Sequence, residues 1–275
     1  MDVILNDNKH YPPQNSKPLT TYGSFELNLL VNLGYEANNP PLGDFLRQYH
    51  QLDGRWLVAC PIHWQATHND ALIVASGQEL DLSEEESLRW LKEVKKFLTE
   101  ESFDLHYHNA NMWMLKVNDN TPQLKAKPLH LVQHQSLMPF LEEMDDTLYW
   151  QRLFTELQMF LNNHPYNEQR QDKLPINGLW IYGGGQFKVN SKRPIMTDDS
   201  QLLFVFPDKI KPLKLTKPID NRGIFLIKHA NQINIDDLAN RLSHYRVNWY
   251  WNNNAYQIAK LSWWSKLWRG RVNAN

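Results

Sequence analysis

The stretch 164–185, "HPYNEQRQDKLPINGLWIYGGG", combines residue types that can bind phosphate: a histidine, an arginine and three consecutive glycines. Glycines after a strand bring main-chain N–H groups close to an anion. The spacing matches neither the Walker pattern, because Gln186, Phe187 and Lys188 follow the glycines, nor the G-x-G-x-x-G dinucleotide pattern. We therefore predict a tight glycine turn packed against a neighbouring element, with phosphate binding as the open alternative.

Four polar residues of this stretch, His164, Asn167, Glu168 and Arg170, come just after a predicted helix. They could line a pocket or cap the end of the helix. A histidine at a helix C-terminus is favoured by the helix dipole, so the capping interpretation is preferred.

Other histidines are spaced as metal ligands sometimes are. His63 and His68 lie five residues apart, but no acidic residue lies between them and the H-E-x-x-H pattern does not occur. His106 and His108 alternate along one predicted strand, which places two imidazoles on the same face. An exposed strand face is the preferred interpretation, and we predict no metal site.

Two acidic pairs, 145–146 and 198–199, occur where turns or helices are predicted to begin. Helix capping explains them better than catalysis does. The one cysteine, Cys60, lies in an apolar run without a basic neighbour, which indicates a buried small side chain and not a nucleophile. No catalytic residue is predicted.

The C-terminal region is rich in aromatic residues. Adjacent aromatics on a strand point to opposite faces, so they cannot all enter one core. Core packing and a partner surface both remain open. The candidates for contact with a partner are Trp249, Trp251, Trp263, Trp264, Trp268 and Arg269.

The elements that must position these residues alternate between strands and helices. Residues 55–67 and 70–76 predict two strands, 81–101 a helix with Ser83 and Glu86 as a capping box, and 103–118 a hairpin. In the second half, periodic apolar residues predict a helix over 145–163. The remaining predictions are strands at 179–182, 201–208, 223–230 and 254–264 and a helix over 233–251.

The predicted fold is α/β, with a mixed, partly antiparallel sheet covered by helices. Residues 1–24 contain three prolines and predict a loosely attached N-terminal arm. Residues 25–271 are predicted to form a single domain, and a seam could lie near 137–146.

Composition restricts the class of protein. The 29 basic and 30 acidic residues nearly balance, which argues against nucleic-acid binding driven by net charge. One cysteine fits a reducing compartment, and no signal peptide or membrane-spanning segment is recognisable. These features predict a soluble cytoplasmic protein.

The segment "WQRLFTELQMFLNNHPYNEQRQDKLPINGLWIYGGG" resembles the bacterial RpfE-type regulatory family, whose members carry "HPVN", then an arginine, then "PVNSLWLWGGG". That family is similar to the cofactor-independent phosphoglycerate mutases over this segment. The matching residues, which we expect to have a structural role, are His164, Pro165, Asn167, Arg170, Pro175, Asn177, Leu179, Trp180, Gly183, Gly184 and Gly185.

The resemblance implies a degenerate phosphoglycerate mutase-like fold. Mutases of that class hold two divalent metals with several Asp and His residues and use a Ser or Thr nucleophile. The sequence lacks the D-H-G and D-x-x-x-H-x-x-x-H patterns of those ligands and a nucleophile in an early D-G-x-x-D setting. Two-metal phosphoryl transfer depends on such ligands. The expected protein is therefore a pseudoenzyme without a cofactor.

The predicted function is that of a non-catalytic adaptor that binds other proteins. Frequent Asn, Lys and Gln suggest an AT-rich bacterial genome, and the resemblance then extends to a subunit of a type IV secretion coupling complex. The resemblance implies a secretion coupling ATPase and its adaptors as partners. It also implies a location at the periphery of the inner membrane through that complex, and it allows a homo-oligomer. The alternatives are a regulator that senses a phosphorylated metabolite near Arg170 and Gly183–Gly185, and a metal-dependent phosphomutase or phosphatase.

Overall fold

A computed structural model describes residues 1–9, 11–68, 70–99, 103–214 and 221–259. The helices and strands are, in chain order, β1 (Asp2–Leu5), β2 (Lys17–Leu19), α1 (Phe25–Asn32), α2 (Leu42–Tyr49), β3 (Arg55–Ala66), β4 (Ala71–Ser76), α3 (Glu84–Leu98), β5 (Asp104–Asn109), β6 (Met112–Val117), α4 (Leu129–Val132), α5 (Met138–Glu142), α6 (Tyr149–Asn162), β7 (Gly178–Tyr182), β8 (Ile195–Thr197), α7 (Ser200–Val205), β9 (Ile210–Pro212), β10 (Ile224–Ile227), α8 (Ile235–Leu242), β11 (Val247–Tyr250) and β12 (Ala255–Ile258). Short 3-10 helices cover Gly77–Leu80, Pro165–Gln169 and Ala230–Gln232.

The chain forms two compact units where the sequence predicted one domain. Unit 1 combines residues 1–35 with 189–275, and unit 2 is the continuous stretch 36–188. The boundaries therefore lie at 35/36 and 188/189, whereas residues 137–146, the predicted seam, lie inside unit 2.

Unit 1 contains a seven-stranded mixed sheet in the order β2-β12-β11-β1-β10-β8-β9. Strand β1 pairs in parallel with β10 on one side and β11 on the other. Its side chains Val3, Ile4 and Leu5 are fully buried. The prediction of a loosely attached arm is therefore corrected: residues 2–5 form a central strand. The sequence did not reveal it because three consecutive apolar residues are too short a signal.

Unit 2 contains a five-stranded antiparallel sheet built around β3, which is 12 residues long. This strand pairs with β6 through residues 55–59, with β7 through 58–62 and with β4 through 62–66. Its pairing with β4 is irregular between His63 and Trp64. One long strand thus carries most of the sheet, and its middle receives the strand that leads into the triple-glycine turn.

Two predicted elements of unit 1 are wrong. Residues 201–208 were predicted as a strand, but 200–205 form helix α7, because the carboxylate of Asp199 accepts hydrogen bonds from the first N–H groups of the helix. The helix predicted over 233–251 ends at Leu242, and Val247–Tyr250 form β11. In that strand Val247 and Trp249 are buried, whereas Asn248 and Tyr250 are half-buried, which is the alternation of a strand.

The predicted fold class is confirmed. The described chain is α/β, with a partly antiparallel mixed sheet and accompanying helices. The strand pair 55–66 and 71–76, helix α3, the β5–β6 hairpin and helix α6 lie where the sequence predicted them. Within the described residues, no helix combines the length and the apolar character that a bilayer crossing requires.

A half-buried histidine in α4, His130, predicts acid sensitivity. Burial lowers the pKa of His130 to about 4, below the value of about 6.5 that it has in an unfolded chain. The fold favours the neutral ring. The contribution of this ring to the free energy of unfolding is therefore complete above about pH 6.5 and is lost as the pH falls from 6.5 towards 4. Because the ring is only partly buried, we expect a loss of about 2 kcal/mol between about pH 7 and about pH 4.5.

Urea unfolding of the His130→Asn variant at the two pH values measures this effect. The variant should lose less stability on acidification than the unchanged protein does. The matched control is His134→Asn, which removes an exposed histidine four residues after His130, just beyond the end of α4. If His130→Asn and the unchanged protein lose the same stability on acidification, His130 is not the cause of the acid sensitivity.

Candidate functional site

The motif segment, residues 164–185, lies in unit 2 between the end of α6 and the turn after β7. His164 follows α6 and caps the N-terminus of the 3-10 helix Pro165–Gln169, where its Nδ1 accepts a hydrogen bond of 3.2 Å from the N–H of Tyr166. Burial lowers the pKa of His164, and the Glu93 carboxylate partly offsets this. The predicted helix-end role is therefore corrected: a neutral imidazole caps the following turn.

Asn167 connects the end of α6 to the approach to β7. Its side-chain Nδ2 donates to the carbonyls of Leu161 at 2.9 Å and Ile176 at 3.0 Å, and its Oδ1 accepts from the N–H of Ile176 at 2.9 Å. The carboxamide thus pairs with both backbone groups of one residue and closes the loop between helix and strand. This is a structural role.

Arg170 is buried and is fully engaged inside unit 2. Its Nη1 donates to the carboxylate of Glu86, its Nη2 to the carbonyl of Leu80, and its Nε to the carbonyl of Leu174 at 2.9 Å. The Glu86 side chain, predicted to close a capping box with Ser83, instead pairs with this guanidinium, although Ser83 does cap α3. Arg170 does not line the cavity beside the glycine turn, whereas the alternative of a metabolite sensor required it there.

The side chain of Asn177 hydrogen-bonds the backbone of β3 next to the irregularity in the pairing of β3 with β4. Its Oδ1 accepts from the N–H of Trp64 at 2.9 Å, and its Nδ2 donates to the carbonyl of the same residue at 2.8 Å. The carboxamide supplies the two hydrogen bonds that a neighbouring strand would make. It therefore satisfies backbone groups of β3 at a buried position.

The Asn177→Ala variant should be less stable by about 2–4 kcal/mol, because it leaves two buried backbone groups of Trp64 without partners. Urea unfolding measures this loss. The matched control, Asn163→Ala, removes an exposed carboxamide that donates one bond of 3.1 Å to Met159, and it should change stability by less than about 1 kcal/mol. Equal losses in the two variants would contradict the role given to Asn177.

The end of the segment is a strand and a turn packed tightly against β3 and α2. Trp180 is fully buried, and its Nε1 donates to the carbonyl of Lys127 at 2.9 Å. The carbonyl of Gly183 accepts from the N–H of Gly43 at 2.8 Å, and a Cβ on Gly183 would lie 3.2 Å from that nitrogen. The packed glycine turn is therefore found at Gly183.

Beyond Gly183 the turn borders a cavity of about 430 Å³ within unit 2. Gly184 and Gly185 contribute to its lining together with Arg47 and Arg55. The sequence analysis missed both arginines. They stand on α2 and at the start of β3, and no spacing in the chain links them to a turn more than a hundred residues later.

The tryptophans of the partner-contact prediction divide into two groups. Trp249 and Trp251 are buried in a core cluster of unit 1 that also contains Val3, Leu238 and Tyr256. Core packing is thus correct for these two, and they are removed from the contact candidates. Trp263, Trp264, Trp268 and Arg269 lie outside the described residues.

Three histidines of unit 2 form a cluster. His50, at the end of α2, hydrogen-bonds His108 with 2.9 Å between Nε2 and Nδ1, and its ring centroid is 4.7 Å from that of His106. His106 and His108 share a face, as predicted, but that face is half-buried and not exposed. Across the described ranges, no group of three or more His, Cys, Asp or Glu side chains is arranged so that it could hold a metal ion, and this includes the histidine cluster.

The remaining polar candidates have structural roles. Asp145 accepts hydrogen bonds from the N–H groups of Thr147 and Trp150 at the start of α6. Asp199 caps α7, and Asp198 accepts from the N–H of Lys228 at 2.7 Å. Cys60 is buried on β3, as predicted.

This architecture is that of an α/β protein made of two sheet-containing units. No protein-family model and no curated protein sequence matches the chain. Among solved structures, it is similar to the PH0037 protein from Pyrococcus horikoshii, with 13% identity, a TM-score of 0.41, and coverage of 90% of this chain and 75% of that one.

A second similar structure is the cofactor-independent phosphoglycerate mutase from Thermoplasma acidophilum. The identity is 10% and the TM-score 0.32, with coverage of 88% of this chain and 77% of that one. At these identities and TM-scores, neither likeness establishes an activity for this chain.

Proposed function

We propose that the chain is a non-catalytic adaptor that binds other proteins. One observation supports this above others: four polar side chains of the motif segment are engaged inside unit 2. Asn167, Arg170 and Asn177 bind backbone groups or a half-buried carboxylate, and His164 caps a turn. Side chains that are used in this way serve to hold the sheet and its turn.

The proposed partners are proteins. Within this proposal the chain is a subunit of a type IV secretion coupling complex, similar to the subunit DotZ. A coupling ATPase and its adaptors are then the expected partners. The proposed contact surface is the aromatic C-terminal region, residues 263–269. Aromatic and arginine side chains are enriched at protein interfaces, which supports this choice.

Affinity purification of the tagged protein from its native host tests the proposal, with mass spectrometry of the co-purified proteins and measurement of bound metal on the same sample. A stoichiometric protein partner without bound metal supports an adaptor. Two equivalents of metal without a partner would contradict it and would favour the phosphomutase or phosphatase.

A variant that changes Trp263, Trp264 and Trp268 to alanine tests the contact surface. Recovery of the partner should fall at least about tenfold, because aromatic side chains carry much of the energy of an interface. The control is Phe204→Ser, which removes an aromatic side chain that is 67% exposed on α7 of unit 1. Equal recovery with both variants excludes the aromatic region as the contact surface.

A further inference from the structure

The cavity beside the glycine turn has the size of a small-molecule site. Its volume of about 430 Å³ lies within the range of about 300–1,000 Å³ that ligand pockets occupy. All of its lining residues belong to unit 2, so the site is complete within that unit.

The turn contributes three consecutive residues, Gly184, Gly185 and Gln186, to this lining. Gly183 and Gly185 have φ of +87° and +114°, whereas Gly184 is not in the positive-φ region. Within the part of the chain that the structure describes, the main-chain N–H groups of Gly184, Gly185 and Gln186 donate no hydrogen bond. Successive N–H groups in a turn whose φ values change sign form an anion-binding concavity.

Both ends of the turn are fixed. The Gly183 carbonyl accepts from the N–H of Gly43, and the N–H of Phe187 donates to Oδ2 of Asp44 at 2.7 Å. Because α2 holds the turn at both ends, its N–H groups need little rearrangement to receive a ligand. Preorganised donors of this kind reduce the entropic cost of binding.

Two guanidinium groups add positive charge to the lining. Arg47 donates through Nε to Asp44 at 2.7 Å and through Nη1 to the Leu52 carbonyl at 3.1 Å, and Arg55 donates through Nη2 to two carbonyls of the loop after β6. Within the described ranges, Nη2 of Arg47 and both Nε and Nη1 of Arg55 make no other hydrogen bond. These donors remain for a ligand.

The charge balance of the lining favours an anion. Its only carboxylate, that of Asp44, already accepts from Arg47, Gln48 and the N–H of Phe187. Two arginines against one aspartate leave the lining with a net charge of +1. Guanidinium groups bind carboxylate and phosphate oxygens through paired hydrogen bonds.

Another part of the lining is apolar, although Asn39 and Gln123 also contribute polar side chains. Leu57 and Leu124 are buried, and each lies within 4.0 Å of the position that a Cβ on Gly184 would take: Leu57 through Cδ2 at 3.6 Å and Leu124 through its carbonyl oxygen. Trp56 and Trp150 are also buried lining residues. A ligand that fills this cavity therefore needs an apolar or aromatic body besides its anionic group.

We propose that this cavity binds a small organic oxyanion, with the phosphate or carboxylate at Gly184–Gln186 and the arginines and with an apolar body against the leucines and tryptophans. The site goes beyond the adaptor role and does not depend on it. A ligand there could be bound whether or not a protein partner is present.

Thermal unfolding and isothermal titration with three probes test the site in the full-length protein. The probes are phenyl phosphate, benzoate and inorganic phosphate. Phenyl phosphate or benzoate should raise the unfolding midpoint, because a ligand of the folded state stabilises it. The better of the two shows whether the site prefers phosphate or carboxylate, and inorganic phosphate, which lacks the apolar body, should bind at least tenfold more weakly.

Two variants locate the binding. Gly184→Leu places a side chain in the cavity at a position without positive φ, and Arg55→Met removes one guanidinium. Each should weaken binding of the better probe at least tenfold, with unchanged circular dichroism. The charge-matched control, Arg152→Met, removes an exposed arginine on α6 outside the lining and should bind as the unchanged protein does.

Absence of binding by both organic probes overturns the proposal. So does binding that neither Gly184→Leu nor Arg55→Met weakens. Co-purification of a protein partner is a separate measurement, so the adaptor proposal and the ligand site can fail independently.

Discussion

The Arg170→Met variant should lose about 3–5 kcal/mol of unfolding free energy, the largest loss that we expect from a single side chain of the motif segment. Arg170 is 4% exposed, and it pairs with the carboxylate of Glu86 and with two backbone carbonyls. Removing it leaves the Glu86 carboxylate without its buried partner. Chemical denaturation with urea measures the loss.

Two further variants, a control and a double variant, test whether the loss in Arg170→Met comes from its pair with Glu86. Arg152→Met removes an exposed arginine that lies 3.5 Å from Glu156 on the same helix, and it should change stability by less than about 0.5 kcal/mol. The double variant Arg170→Met with Glu86→Gln removes both charges and should recover part of the loss. A loss below about 1 kcal/mol in Arg170→Met would show that this pair does not hold the segment in place.

Gly43→Ala should destabilise unit 2 by about 3 kcal/mol or more, because no space exists for one added methyl group. A Cβ at this position would lie 2.2 Å from the carbonyl oxygen of Trp56 and 2.9 Å from the Cα of Leu57. Both contacts are with the backbone of β3, so a change of rotamer cannot relieve them. Helix α2 would have to move away from the strand and from the Gly183 carbonyl that it binds.

Gly184→Ala is the control for this change. Its added Cβ would meet nothing closer than 3.6 Å, and its backbone is not in the positive-φ region, so stability should change by less than about 1 kcal/mol. Denaturation midpoints of the two variants and the unchanged protein give the comparison. Similar stabilities for Gly43→Ala and Gly184→Ala would contradict the close packing of α2 on β3.

Much of unit 2 could be predicted from sequence because its elements are long and carry clear patterns. Helix α3 has Ser83 at its N-cap, acidic residues in its first turn and lysines in its last. Unit 1 was harder. Strand β1 and helix α7 are short apolar runs in which the helical and strand periods cannot be distinguished, and the pairing of β1 with β10 and β11 joins residues more than two hundred positions apart.

The candidate site shows the same limit. The motif residues were predicted to have a structural role, but the sequence did not reveal their partners: Glu86 for Arg170 and the backbone of Trp64 for Asn177. The cavity was unpredictable for a similar reason. Arg47, Arg55 and Gly184 come from a helix, a strand and a turn, and only the tertiary fold brings them to one lining.

The position of β1 also determines the order in which the chain can fold during synthesis. Residues 36–188 are continuous, so unit 2 has all of its strands once Lys188 has left the ribosome. Strand β1 is made before unit 2, yet its two neighbours, Ile224–Ile227 and Val247–Tyr250, are made after it. Nascent domains generally fold as units as they emerge. Unit 1 is therefore completed after unit 2, and strand β1 lacks both neighbouring strands until residues 224–250 have been translated.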